Sequence, residues 1–191
     1  SAVRREIGVL EAEIGRMDAI IANFLKATRP ERLQFKEVDI VETVRSALES
    51  LRGIASDRRI RIEFRPETER RFLFADPQKV QQVIVNIVKN ALEAVGNDGE
   101  IAVDCREEDG SIVIRVADTG PGIPQEQIPR IFEPFFTTKE SGLGLGLVIA
   151  HRLVKEHAGD ISVKSSAGEG TTFQVRLPLR EYKLKFLESK K

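Results

Sequence analysis

Apolar residues at Val3, Ile7, Leu10, Ile14, Met17, Ile21 and Phe24 recur at alternating intervals of four and three. That is a heptad seam. It predicts a long helix packing on another helix, in a bundle or coiled-coil dimer, rather than on a sheet. The helix should stop before Pro30, because the residue preceding a proline resists the α conformation. Residues 30–38 read as a charged connector. Asp39 offers an N-cap to a helix whose apolar face is Ile40, Val41, Val44, Ala47, Leu48 and Leu51, with Gly53 near its end. Ile60, Ile62 and Phe64 alternate as a half-buried strand, and Phe72 with Phe74 marks a second.

Asp76-Pro77 combines an N-cap with a proline at the first helical position. The helix it opens turns Val80, Val83, Ile84, Ile87, Val88, Ala91 and Leu92 inward and ends near Gly96. Turns at Asn97-Asp98-Gly99 and Asp109-Gly110 deliver strands at 101–105 and 111–117. Residues 119–144 carry no regular period and are rich in Gly, Pro and Thr. Loops that long inside compact domains are usually functional. A helix over 145–157, ending before Gly159, and strands near 160–165 and 171–178 complete the pattern. The charged tail from Glu181 onward is a helix stub, a disordered end or foreign sequence.

Composition narrows the class. The 191 residues are 41% hydrophobic and 31% charged, the profile of a soluble globular chain. Lys+Arg and Asp+Glu are both 30, so net charge gives no case for nucleic acid or an acidic membrane surface. The single Cys105 excludes an intrachain disulfide framework and reads as a buried structural thiol in a reducing compartment. No apolar run is long enough for a membrane span. The chain opens inside a helical pattern, as a piece of a longer protein would, so we expect a cytoplasmic module whose parent could be membrane-anchored.

The chemistry concentrates in three places. Asn86 and Asn90 stand four apart and therefore share one helix face. Their carboxamides need polar partners or a ligand among apolar neighbours, and a carboxamide oxygen is a hard donor suited to Mg²⁺. A pair of surface asparagines explains the spacing equally well. Asp118 ends a strand and precedes Gly120 and Gly122, where a carboxylate can accept from an exocyclic amine such as that of adenine. A plain Asp-Gly turn is the simpler alternative. Gly142, Gly144 and Gly146 free backbone N–H groups just before a helix, a natural phosphate cradle. There is no Walker sequence, and no Gly-x-Gly-x-x-Gly follows a strand into a helix. His151 and His157 read as structural, His157 near a helix end that favours a cation or a polar cap.

Taken together and in order, these segments are similar to a known family. Residues 37–180 resemble the catalytic, ATP-binding domain of bacterial sensor histidine kinases within the GHKL ATPase superfamily. Asn86-Ile87-Val88-Lys89-Asn90-Ala91 resembles the N box, and Asp118-Thr119-Gly120-Pro121-Gly122-Ile123 the first glycine box. Ile131-Phe132-Glu133-Pro134-Phe135-Phe136-Thr137-Thr138-Lys139 resembles the F box of the nitrogen-regulation-like subgroup. Gly142-Leu143-Gly144-Leu145-Gly146-Leu147 resembles the second glycine box, and Gly168-Glu169-Gly170-Thr171-Thr172-Phe173 a late Gly-Thr-x-Phe signature.

The resemblance implies a two-layer α/β sandwich, a mixed sheet covered on one face by three helices. It implies that Asn90 ligates Mg²⁺, that Asn86 orients the metal and the phosphates, and that Asp118 accepts from the adenine amine. Residues 124–141 would form a mobile ATP lid, with Lys139 a phosphate contact. The implied nucleotide surround also takes in Glu93, Gly120, Gly122, Ile123, Phe132, Thr137, Thr138, residues 142–146 and Thr171. Many relatives carry a basic residue where this chain has Glu93, which puts a phosphate contact from that position in doubt.

Residues 1–36 resemble the second helix of the dimerisation and phosphotransfer hairpin plus its linker. The first helix, with the acceptor histidine, is absent. The implied activity is transfer of the ATP γ-phosphoryl to a histidine on a dimerisation helix, for relay to a response regulator, with residues 1–30 forming a homodimer. A GHKL ATPase clamp and a non-catalytic nucleotide-binding dimerisation module are the alternatives. Hydrolases of the superfamily place a glutamate base where this chain has Asn86, and an amide cannot take a proton from water.

Overall fold

The computed structural model describes residues 32–68, 72–139 and 142–179, together with Ile7, Gly8 and Gly15, which are helical. The rest of the heptad seam, the stop before Pro30 and the tail 181–191 lie outside the described residues.

The elements run β1 (Lys36–Asp39), α1 (Ile40–Glu49), α2 (Arg52–Asp57), β2 (Arg61–Pro66), β3 (Phe72–Ala75) and α3 (Pro77–Val95). Then follow β4 (Glu100–Glu108), β5 (Ser111–Asp118), a 3₁₀ turn at Ile128–Arg130, α4 (Gly146–Glu156), β6 (Asp160–Ser165) and β7 (Thr171–Pro178). The main sheet has the order β2-β4-β5-β7-β6, and β1 with β3 makes a separate two-stranded ribbon. Only β2 and β4 pair in parallel; the other neighbours are antiparallel. The expected mixed sheet covered by helices is thus the architecture found.

Side-chain alternation builds the core directly. Val103, Val116, Phe173 and Val163 line up across four strands, and Cys105, Ile114, Val175 and Ile161 form the next row. Helices α1, α3 and α4 lie over these rows, and α3 buries Val80, Val83, Ile84, Ile87, Val88, Ala91 and Leu92. Burial pushes the Cys105 thiol up to about 12, which fits an inert structural group.

Both anticipated N-caps are present. The Asp39 carboxylate accepts from the Glu42 amide, and Asp76 accepts from the amides of Gln78 and Lys79. Each such cap is worth about 1 kcal/mol.

Two local expectations need correction. Residues 36–39 are not connector but β1, paired with β3 through Val38 opposite Leu73. A four-residue strand with one inward apolar side chain has too short a period to be seen in sequence. Gly53 does not end α1; Ser50 does, and Gly53 lies within the short α2.

His157 is structural, as expected, but not as a cation. Its Nε2 accepts from the Asp76 amide at 3.1 Å, and Nδ1 lies 2.7 Å from the Leu153 carbonyl. Accepting at one nitrogen while donating at the other requires the neutral ring. This contact fastens the start of α3 to the end of α4. Phe35, stacked on Phe74 and tilted against His157, continues the cluster toward the N-terminal side.

Candidate functional site

Helix α3 presents Asn86, Asn90 and Glu93 at steps of four and three, one continuous stripe beside its buried face. The Asn86 amide nitrogen is buried and has no hydrogen-bond partner. A native interior seldom leaves such a donor unpaired, so this atom asks for an acceptor from outside the chain. Asn90 has a partner: the Lys139 ammonium donates to its Oδ1 at 2.9 Å, and to Glu93 at 2.7 Å. Three candidate residues spread over 49 positions of sequence therefore meet at one point. The arrangement fits a hard cation, since Asn90 Oδ1 already faces one.

Asp118 closes β5 opposite Thr171 and is 7% exposed. Burial pushes its carboxyl above the ordinary value of 3.8, while the backbone amides of Gly120 and Thr171 and the charge of Lys139 pull it back. The Gly120 amide donates to Oδ1 at 2.9 Å.

The glycines of the first box serve the chain's own packing. A Cβ on Gly122, whose φ is +73°, would lie 2.0 Å from the Ser166 carbonyl oxygen. One on Gly170 would lie 2.1 Å from the Asp118 carbonyl oxygen. The first glycine box and the late Gly-Thr signature are therefore one unit, folded around Asp118.

Ser165, which no motif singled out, joins them. Its hydroxyl accepts from the Ile123 amide at 2.8 Å and donates to the Gly170 carbonyl at 2.7 Å. The Thr171 hydroxyl is 3.0 Å away. Its only signal in sequence was a serine pair just before a glycine turn, too common to act on.

The irregular segment is anchored along its middle. Ile131 is buried, Phe132 packs on the His151 ring at 5.1 Å, and the Arg130 guanidinium lies 4.5 Å over the Phe136 ring. His151 is thus a packing residue of α4, as expected.

The second glycine box closes onto the F box. A Cβ on Gly144 would come within 2.6 Å of the Phe136 carbonyl oxygen, and one on Gly142 within 2.8 Å of the Thr137 hydroxyl. Of the three glycines only Gly146 faces open space. It begins α4, which has no side-chain cap at Leu145, unlike α1 and α3. Uncapped N–H groups are what a phosphate would use. Among the remaining candidates, Thr138 is exposed and Leu143 half-buried.

Two clefts among the described residues lie elsewhere, on α1, α2 and β2. A groove of about 310 Å³ runs between α1, α2 and β2, lined by Leu48, Ile60, Ile62 and Phe64 among others. Arg45, Glu49, Arg52 and Ser56 also line it, and none of the candidate residues predicted from the sequence does.

Residues 75–181 match the family model described as histidine kinase-, DNA gyrase B- and HSP90-like ATPase. That is more than half of the sequence. The chain belongs to this family. Membership makes ATP the nucleotide of the domain.

Within the family its relatives are kinases. It is 34% identical over 171 residues to sensor histidine kinase ZraS of Escherichia coli strain K12, covering 90% of this chain and 37% of that one. It is 32% identical to sporulation kinase E of Bacillus subtilis strain 168, covering 91% and 24%. The chain thus spans well under half the length of these curated relatives.

The catalytic domain of histidine kinase ThkA, in a nucleotide-free form, superposes with a TM-score of 0.71 at 31% identity, over 76% of this chain and 96% of that one. ThkA in complex with the response regulator protein TrrA gives 0.77 at 28%, over 95% and 52%. No described helix is long and apolar enough to cross a membrane.

Proposed function

We propose that this chain is the catalytic module of a sensor histidine kinase of the nitrogen-regulation-like subgroup, cytoplasmic and part of a homodimer. Residues 37–180 hold ATP·Mg²⁺. Residues 1–36 are the second dimerisation helix and linker, and residues 181–191 a charged tail. The acceptor histidine lies on a helix outside the chain.

Asn86 carries the reading. Its buried, unpartnered amide nitrogen can donate to a phosphate oxygen but cannot serve as the base that hydrolysis needs. The kinase identity of the relatives points the same way, and the ATPase-clamp alternative is not favoured.

Asn90 would ligate Mg²⁺ through Oδ1. Bound there, the metal would supply neutralisation of phosphate charge during the transfer. The chain's own groups do the rest. Asp118 accepts from the adenine amine, the uncapped start of α4 and Lys139 meet the phosphates, and the F-box segment covers the nucleotide. The imidazole nitrogen of the acceptor forms a P–N bond as the bridging P–O bond breaks. ADP departs and the displaced imidazole proton goes to solvent. The phosphoryl group then passes to an aspartate of a response regulator.

Mixing this chain with ATP·Mg²⁺ and a separate histidine-bearing hairpin should label the hairpin with acid-labile, base-stable phosphate. Label on this chain alone, or none on the hairpin under conditions where nucleotide binds, would overturn the proposal. Asn90→Ala should weaken Mg²⁺-dependent ATP binding by at least the roughly tenfold that supporting residues of metal sites cost. Binding in EDTA should change little. Equal loss with and without Mg²⁺ would remove Asn90 from the metal site.

A further inference from the structure

We infer that Asn90 and Glu93 form a cation seat that Lys139 fills until nucleotide arrives, so that one lysine both latches the lid to α3 and guards the metal position. The inference rests on the proposed role of Asn90 as metal ligand.

Three observations carry it. The Lys139 ammonium bonds the very oxygen assigned to Mg²⁺, Asn90 Oδ1 at 2.9 Å, and is fixed there by Glu93 at 2.7 Å. Its side chain is half-buried, 33% exposed against 52% for Glu93, so the lysine lies along the helix rather than free in solvent. The backbone that presents it is hydrogen-bonded on both sides. The Lys139 amide donates to the Thr137 hydroxyl at 3.1 Å, and the Gly142 amide donates to the Lys139 carbonyl at 3.3 Å. Gly142 has no room for a Cβ beside that hydroxyl. These bonds hold the Lys139 backbone in place while its side chain reaches α3.

Two cations cannot share one carboxamide oxygen at hydrogen-bond range, because their repulsion at about 4 Å exceeds what one neutral dipole returns. Metal entry and Lys139 residence are mutually exclusive. By linkage, whatever seats the metal frees the lid, and whatever holds the lid weakens the metal. The released ammonium is then available to the phosphates.

Glu93 is accordingly a positioning residue for Lys139 and not a phosphate contact. The helix contributes the negative charge at Glu93, and the lid supplies the positive one at Lys139. The pair is a charge exchange between helix and lid.

The experiment uses Mn²⁺ as an EPR-visible probe on the nucleotide-free chain at low salt, with hydrogen exchange of residues 131–139 as the second readout. Lys139→Met should bind Mn²⁺ about tenfold more tightly than wild type, the effect of removing one like charge at contact range. Its lid amides should exchange faster. Adding Asn90→Ala to Lys139→Met should abolish the gain. Glu93→Gln should speed lid exchange without gaining metal affinity.

Unchanged Mn²⁺ affinity and unchanged lid exchange in Lys139→Met would overturn the seat, even if a fluorescent ATP analogue still binds wild type with Mg²⁺. Failure of that analogue to bind wild type would overturn the underlying site assignment as well. Circular dichroism controls for folding, and Lys139, a partly exposed lid residue, is not part of the core.

Discussion

Replacing Asp118 by asparagine is expected to lower ATP affinity by on the order of a hundredfold while the chain still folds. An ionised carboxylate offers about four lone-pair sites, and a carboxamide oxygen only two. The Gly120 and Thr171 backbone amides take two at Asp118, leaving two for an adenine amine. Asparagine would spend its oxygen on those same amides and turn its NH₂ toward the ligand, donor facing donor. Losing a charge-assisted bond and leaving the pair unsatisfied costs about 3 kcal/mol, which corresponds to roughly a hundredfold.

The pH dependence has a definite sign. Burial raises Asp118 above its ordinary value of 3.8, so the folded chain holds the proton more tightly than the unfolded one. This group's stabilising contribution is fully present below the unfolded value and is lost as pH rises through the folded one. Nucleotide affinity should run the other way, growing as the carboxylate ionises. Titrations with a fluorescent ATP analogue at stepped pH, with thermal unfolding alongside, should show both trends, and Asp118→Asn should remove this part of each. Wild-type affinity in the variant would take Asp118 out of the adenine site.

Local signals were legible in the sequence and long-range ones were not. Asp39 and Asp76 announced their helices because a cap acts within three residues. The strands at 160–165 and 171–178 were visible because alternation there runs for three or four full periods. β1 escaped notice because its pairing with β3 gives its only reason to be a strand.

The glycine boxes were found, but the reason for their glycines was only partly read. In sequence, Gly142, Gly144 and Gly146 read as freeing backbone N–H groups for a phosphate. At Gly122, Gly144 and Gly170 the missing side chain instead admits the chain's own backbone. Ser165 and the meeting of Lys139 with Asn90 and Glu93 depend on contacts across more than 40 residues, which no periodicity encodes. The nucleotide roles given to Asn86, Asn90 and Asp118 came from the resemblance. Their geometry supplies the partners against which those roles can be tested.

Gly122→Ala and Gly168→Ala should separate two costs that sequence alone treats as equal. Both glycines have positive φ, +73° and +84°, so alanine at either pays about 1 kcal/mol for the left-handed conformation. At Gly168 nothing lies within 4 Å of the new methyl group, and the cost should end there. In a domain of this size that lowers Tm by about 2–4 °C.

At Gly122 the methyl would sit 2.0 Å from the Ser166 oxygen and 2.8 Å from its carbonyl carbon, both backbone. No rotamer relieves a backbone clash, so the loop must move, bringing the total to about 3 kcal/mol and the Tm shift to roughly 6–12 °C. The same movement pulls on the Gly168 amide bond to the Pro121 carbonyl and on the Ile123 bond to Ser165. Those bonds shape the rim beside Asp118, so Gly122→Ala should also lose nucleotide affinity at temperatures where it is fully folded. Gly168→Ala should keep it. Equal Tm shifts in the two variants would mean that the close approach at Gly122 is not what holds the two glycine segments together.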